Sequence, residues 1–213
     1  MAHFREKNKS EIIKIYKGFQ KTYYEKFEDT IKYFNEEQIK IFLNYVREKD
    51  DPQRQRNYLI MKLLLSTGMR INEFSLTKIN DIDFFNNVIN IPYQNTKTSN
   101  RRTVRVNKTI LLDLKDYLQN QNIKSGYIFR NVNNNPLSTR TYQYIFDKYY
   151  FEELPFKPTP HTLRHSHIVL ALKKGVPINA VQQNVGHMNL ETTQIYCRLA
   201  GVDIANGYKD IEF

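Results

Sequence analysis

Two short runs limit how much sheet this chain can hold. VINIP (88–92) and TVRV (103–106) alternate apolar and polar residues, with Ile89, Ile91, Val104 and Val106 on one face, the period of a half-buried strand. They read as a β-hairpin whose long loop carries QNTKTSNRR. Around them the pattern is helical. Asn35 followed by Gln38 resembles a capping box and opens a helix through about Arg47. The breaker DDPQ follows, and RNYLIMKLLLSTG then reads as a buried helix closed by Gly68. Beyond the hairpin, helices are expected at 109–121, 138–151, 160–173, 177–185 and around 191–198. The expected fold class is α+β: mostly α-helical, with a small antiparallel sheet at one side.

At 213 residues and 40% hydrophobic content the chain can bury one good core with a small appendage. Residues 1–33 are mixed-charge and tyrosine-rich, and are expected to form an N-terminal helical leader or linker with one helix opening after Ser10. Residues 34–213 make the main domain, ending in a C-terminal tail at 199–213. No run of 18 apolar residues occurs, and MAHFREKNKS lacks the apolar stretch of a secretion signal, so a soluble, cytoplasmic protein without a membrane partner is expected. The single cysteine, Cys197, excludes an intrachain disulfide framework and suits a reducing compartment.

The formal net charge is +10, and most of the excess lies between Phe84 and Leu190. Residues 84–112 contain no acid, yet hold Lys97, Arg101, Arg102, Arg105 and Lys108. So localised a basic field points to a polyanion, most economically nucleic acid, with Arg101, Arg102, Arg105 and Lys108 as candidate DNA contacts. Ribosomal or membrane-surface binding would use such a field too, and charge alone does not separate them.

The stretch PTPHTLRHSHIVLAL, from Pro158, places three of the five histidines within seven positions. Thr159 is a good N-cap and Pro160 a good first helical residue, so His161, Arg164 and His165 fall at i, i+3 and i+4 on one face near a helix N-terminus. A helix start with an imidazole and a guanidinium suits a phosphate. A zinc site would need a third ligand, but no acidic residue lies between Leu154 and Leu190 and Cys197 is the one thiol; no metal is expected. Satisfied structural histidines are the plainer reading. It fits His165 and His167, but leaves the pairing of His161 with Arg164 without a purpose.

Four motifs follow in chain order: STGMRINEFSLTKINDIDF with Arg70 and Glu73, the hairpin loop with Lys97, HTLR at 161–164, and VGHMNLETTQIYCRL with His187 and Tyr196. In this order, with an arginine in T-G-x-R-x-x-E and a tyrosine in T-T-x-x-Y, the chain resembles the catalytic domain of the tyrosine recombinases, the family of phage integrases and Xer-type resolvases. The likeness covers about residues 34–199. It implies Arg70, Lys97, His161, Arg164, His187 and Tyr196 as catalytic residues, with Glu73 supporting Arg70. The implied activity is site-specific recombination of double-stranded DNA through a covalent 3′-phosphotyrosyl intermediate, with no cofactor.

The chemistry is consistent with that set. A tyrosine hydroxyl titrates near pH ~10 and needs help to ionise. Tyr196 is the candidate nucleophile, and Arg70 and Arg164 can grip the non-bridging oxygens bidentately. His161 is expected to accept the tyrosine proton, His187 to hydrogen-bond the phosphate, and Lys97 to protonate the leaving 5′-oxygen. His165 and His167 are then structural. The resemblance further implies a homotetramer on paired sites, a possible accessory DNA-bending or directionality factor, and a nucleoid-associated location. Thirty-three leading residues are too few for the N-terminal clamp domain of most integrases, so the chain reads as either a catalytic fragment or a short recombinase resembling the fimbrial-switch invertases. Two other classes fit parts of the pattern: a type IB topoisomerase-like nicking and resealing enzyme, and a non-catalytic DNA-binding protein on the same scaffold.

Overall fold

Asn35 and Gln38 cap each other: the Gln38 N–H donates to Asn35 Oδ1 at 2.8 Å and the Asn35 N–H to Gln38 Oε1 at 2.9 Å. The first helix starts there in a computed structural model that describes residues 31–92, 95, 101–186 and 190–201. In chain order the elements are α1 (Glu36–Glu48), α2 (Arg54–Thr67), α3 (Ile71–Ser75), a 3₁₀ turn (Ile79–Asp81), β1 (Ile82–Asp83), β2 (Val88–Ile91), β3 (Arg102–Arg105), α4 (Lys108–Asn120), α5 (Thr139–Lys148), α6 (Pro160–Lys173), α7 (Ile178–Val185) and α8 (Leu190–Leu199). This is the α+β arrangement that the sequence pattern predicts.

Helix α1 carries Glu36 and Glu37 in its first turn and Arg47 in its last, matching its dipole, and buries Ile39, Phe42 and Val46. Helix α2 buries most of its central turns: Leu59, Ile60, Met61, Leu63 and Leu64 are each no more than 3% exposed. Such a helix belongs in the interior, and here α1, α4 and α6 pack against it. The sheet runs β1-β2-β3, all antiparallel, with Ile89 opposite Val104 and Ile91 opposite Arg102. Ile89, Ile91, Val104 and Val106 are all buried, so the alternation read from VINIP and TVRV is the inward face of the hairpin. The outer strand of that hairpin, β3, leans on α7 through the Arg105 N–H, which donates to Asn184 Oδ1 at 3.1 Å.

Two elements escape the pattern. Helix α3 has five residues and β1 two, both too short for a periodicity to register. Helix α5 stops at Lys148, three residues before the expected end, because Tyr149 turns inward and its hydroxyl donates to Asp51 Oδ2 at 2.5 Å. The expected leader helix after Ser10 and the tail beyond Gly201 lie outside the described residues. Among the described residues no helix is long and apolar enough to cross a membrane.

Candidate active site

Four helix termini converge. Helix α2 ends at Gly68 in the left-handed region, φ 61°, where glycine carries no Cβ penalty. The chain turns through buried Met69, and Arg70 becomes the N-cap residue of α3, its N–H donating to Glu73 Oε2 at 3.0 Å. Helix α6 opens on the Thr159 cap, with the Thr162 N–H donating to Thr159 Oγ1 at 3.0 Å, and so places His161, Arg164 and His165 on its first turns. Helix α7 closes at Gly186, φ 67°.

The last carbonyls of a helix lack intrahelical donors and carry the negative end of its dipole. At the end of α7 three successive carbonyls each accept from a different arginine. Arg102 Nε donates to Asn184 O at 3.1 Å, Arg164 Nη2 to Val185 O at 2.8 Å, and Arg70 Nη2 to Gly186 O at 2.7 Å. Arg164 also donates from Nη1 to Gly68 O at 2.5 Å, tying the end of α2 to the end of α7. Arg164 is only 4% exposed. Burial first, then Arg70, pushes its guanidinium down to about 9, which still leaves it cationic at neutral pH.

These cations surround Glu73, whose side chain is 1% exposed. Burial would raise its carboxyl, but hydrogen bonds and charge from Arg102, then from Arg70, hold it below its ordinary value and ionised. The sequence assigns Glu73 to Arg70, and the backbone contact above is there, but the side-chain approach is long, Arg70 Nη1 to Oε1 at 3.3 Å. The tight pair is with Arg102, a fork of 2.7 Å to Oε1 and 2.7 Å to Oε2. Arg102, expected among the DNA contacts, is here the partner of Glu73. Its side chain is 11% exposed and lies across Gly186, where an added Cβ would stand 2.8 Å from Nη1. Arg101, Arg105 and Lys108 are exposed.

His161 and His165 exchange the places expected of them, whereas His167 packs as a structural residue. His161 lies exposed at the rim, its ring edge-on to that of His165 with centroids 4.4 Å apart. Partial burial, then Arg164 and Arg70, lowers its pKa, so the ring is neutral at pH 7. It is His165 Nδ1, and not His161, that hydrogen-bonds the Tyr196 hydroxyl. One turn further along α6, His165 reaches deeper, to where α8 packs. Burial, then His161 and Arg164, pushes His165 down to about 4. Tyr196 is 2% exposed, and burial pushes its hydroxyl up to about 12 against the pull of Arg164. In this state both partners of the pair are neutral, and the ring tautomer decides which of them donates. His167 packs instead under Gly68: its Nδ1 meets Leu65 O at 2.9 Å and its Nε2 meets Asn184 Nδ2 at 3.3 Å. Lys97 and His187 lie outside the described residues.

The profile of the phage integrase family matches residues 32–201. The tyrosine recombinase XerA of Pyrococcus furiosus is 34% identical over 171 residues, 79% of this chain and 57% of the relative. The crystal structure of XerA recombinase superposes with a TM-score of 0.65 at 25% identity, covering 85% of this chain and 65% of the other. The XerH site-specific recombinase, bound to a difH substrate in a pre-cleavage complex, superposes with a TM-score of 0.66 at 26% identity, covering 84% and 55%. The chain thus spans little more than half the length of the curated relatives it matches.

Proposed function

The chain belongs to the phage integrase family, and we propose that it acts as a tyrosine-type site-specific DNA recombinase, cutting and rejoining strands through a 3′-phosphotyrosyl link without metal or ATP. The observation that carries this reading is the pairing of Arg164 and Arg70, anchored on consecutive carbonyls of one helix end, with a buried Tyr196–His165 hydrogen bond beside them.

A guanidinium has more N–H donors than its carbonyl bonds here consume, so Arg70 and Arg164 have donors to offer the non-bridging oxygens of a scissile phosphate. Held in advance, they stabilise the charge of the pentavalent transition state without reorganising. Tyr196 Oη attacks phosphorus while its proton passes to His165 Nδ1, a neutral base at working pH. The P–O5′ bond breaks, and the leaving 5′-oxygen takes a proton, the role we assign to Lys97. In the return step a 5′-hydroxyl gives its proton back to Lys97 as it attacks the phosphotyrosine, the P–Oη bond breaks, and His165 returns the proton to Tyr196. His161 and His187 are assigned hydrogen bonds to the same phosphate. Because Tyr196 is buried, α8 has to shift before attack.

Double-stranded DNA is the proposed partner, gripped along its backbone by exposed Arg101, Arg105 and Lys108. A homotetramer on paired sites and an accessory bending or directionality factor belong to the same proposal. The complex of the similar XerH recombinase with its difH substrate supports DNA as the partner. The test is covalent trapping on nicked suicide duplexes taken from the DNA flanking the protein's own gene. The unsubstituted chain is expected to give an SDS-resistant adduct in EDTA and without ATP. Tyr196→Phe is expected to give none, with DNA binding changed by less than about twofold. An adduct formed by the phenylalanine variant would remove Tyr196 from the nucleophile's role.

A further inference from the structure

Arg70 Nη1 donates to the buried carboxylate of Glu73 over a long 3.3 Å, with every electrostatic reason to close on it. An ionised carboxylate as buried as Glu73 does not go without a cation. The cation that meets it is Arg102, whose guanidinium covers both carboxylate oxygens at 2.7 Å, while Arg70 reaches one of them at a longer distance. A bidentate guanidinium–carboxylate fork is the strongest geometry such a pair has. With Glu73 so occupied, Arg70 keeps its backbone hold on the carboxylate and directs Nη2 to Gly186 O at 2.7 Å.

We infer that Arg102 is a positioning residue of the phosphate clamp: by satisfying Glu73 it leaves Arg70 turned to the phosphate. The inference rests on the recombinase reading above. Two further contacts point the same way. Arg102 Nε donates to Asn184 O, so one guanidinium holds the α7 end on which Arg164 and Arg70 are anchored. Its plane lies against Gly186, and a Cβ there would meet Nη1 at 2.8 Å, Cζ at 3.0 Å and Nε at 3.2 Å. A glycine at this helix end therefore serves Arg102 as well as the backbone turn. Arg102 also opens β3, so the fork ties the start of that strand to the clamp.

Without Arg102, Arg70 is, among the described residues, the cation left in hydrogen-bond contact with Glu73, and tightening that 3.3 Å bond turns Arg70 away from DNA. Covalent adduct formation on the suicide duplex is measured for Arg102→Gln, for Glu73→Gln/Arg102→Gln and for Arg70→Ala, with a thermal melt for each. Arg102→Gln is expected to slow cleavage about 100-fold, the effect of losing one transition-state donor. The double variant, having no anion to capture Arg70, is expected to recover about tenfold or more of that loss. On a duplex whose scissile phosphate is a methylphosphonate, the charge that Arg70 would meet is gone, and the Arg102→Gln penalty is expected to shrink by a similar factor.

A merely structural fork predicts something else: equal penalties on both duplexes and no recovery in the double variant. That result, or Arg102→Gln cleaving at the unsubstituted rate, overturns the inference. Should Arg102→Gln not melt cooperatively, the double variant decides alone. It supports the inference if it cleaves at least about tenfold faster than Arg70→Ala, and overturns it otherwise. If the unsubstituted chain itself forms no adduct, the recombinase reading fails first and Arg102's part in it falls too.

Discussion

At the N-terminal end of α2 the buried carboxylate of Asp51 takes the Gln53 N–H at 2.9 Å, the Tyr149 hydroxyl at 2.5 Å, the Asn57 amide at 3.2 Å and Lys148 Nζ at 2.9 Å. At the C-terminal end the buried guanidinium of Arg164 takes the carbonyls of Gly68 and Val185. Both ends follow the helix dipole, with an anion at the start and a cation at the finish. The first cluster is closed: Lys148 pairs with Asp51 directly, Asn57 and Tyr149 meet each other as well as the carboxylate, and Arg56 is held on Asn57 Oδ1. The second has, among the described residues, Arg70, Arg102 and Arg164 around a single carboxylate, Glu73, and so carries surplus positive charge. A buried ionic cluster that balances holds the fold together. One that does not balance awaits a ligand of opposite sign.

The sharpest way to break this contrast is to blunt one end without discharging it. Arg164→Lys keeps the charge but cannot span Gly68 O and Val185 O while also gripping a phosphate. It is expected to cut the rate of covalent adduct formation about 1,000-fold, at the upper end of what one preorganised donor supplies. A variant cleaving within tenfold of the unsubstituted rate would mean that charge alone suffices and that the carbonyl anchors are incidental.

At the other end, Asp51→Asn should do the reverse. Burial opposes ionisation of Asp51, yet the Tyr149 hydrogen bond, the Gln53 N–H and Lys148 together hold its carboxyl far below the ordinary carboxylate range. Breaking such a pair is expected to cost about 3 kcal/mol of stability, read from chemical denaturation. Adduct formation per folded molecule should not change, because the substitution sits a full helix length from Arg164. A cleavage defect at temperatures where the variant is fully folded would show that the two ends are coupled through α2.

The difference between the ends also explains what could be read from the sequence. The capping box of Asn35 and Gln38, the glycine stop at Gly68 and the Thr159–Pro160 start are local signals, complete within a few residues, and each marks an element boundary that the structure shows. The same holds for the alternation that sets the hairpin face. Arg102 looks like one more cation in a basic loop; what makes it interior is a carboxylate 29 positions earlier. His165 looks structural because its partner, Tyr196, is 31 positions away. The arginine anchors are invisible for a different reason: their acceptors are backbone carbonyls, which every residue has. Chain order suggests which residues share the site. Which of them hold one another in place depends on the tertiary packing of α6, α7, α8 and β3.

The smallest effect expected is in acid, and it separates the two ends by pH. His165 and His167 are each pushed from 6.5 down to about 4, burial being the largest cause in both. Around His165 the neighbouring titratable or charged groups are His161, Arg164 and Tyr196, and His167 also feels Arg164. Both rings are neutral in the folded chain at pH 5, whereas in the unfolded chain they have bound protons. The unfolded state therefore takes up more protons as pH falls, and the stability these sites contribute is complete above 6.5 and drains away towards 4. His161, lowered as well, adds in the same direction. Asp51 stays ionised throughout that window, so its own contribution is lost only in stronger acid. Melting curves between pH 7 and pH 4.5 should therefore show Tm falling with acid in the unsubstituted chain. Asp51→Asn should lower Tm by the same amount at both pH values, leaving the slope intact. His167→Gln should flatten it, since one of the depressed sites is gone. An unchanged slope in His167→Gln, or one abolished by Asp51→Asn, would place the acid sensitivity at the wrong end of α2.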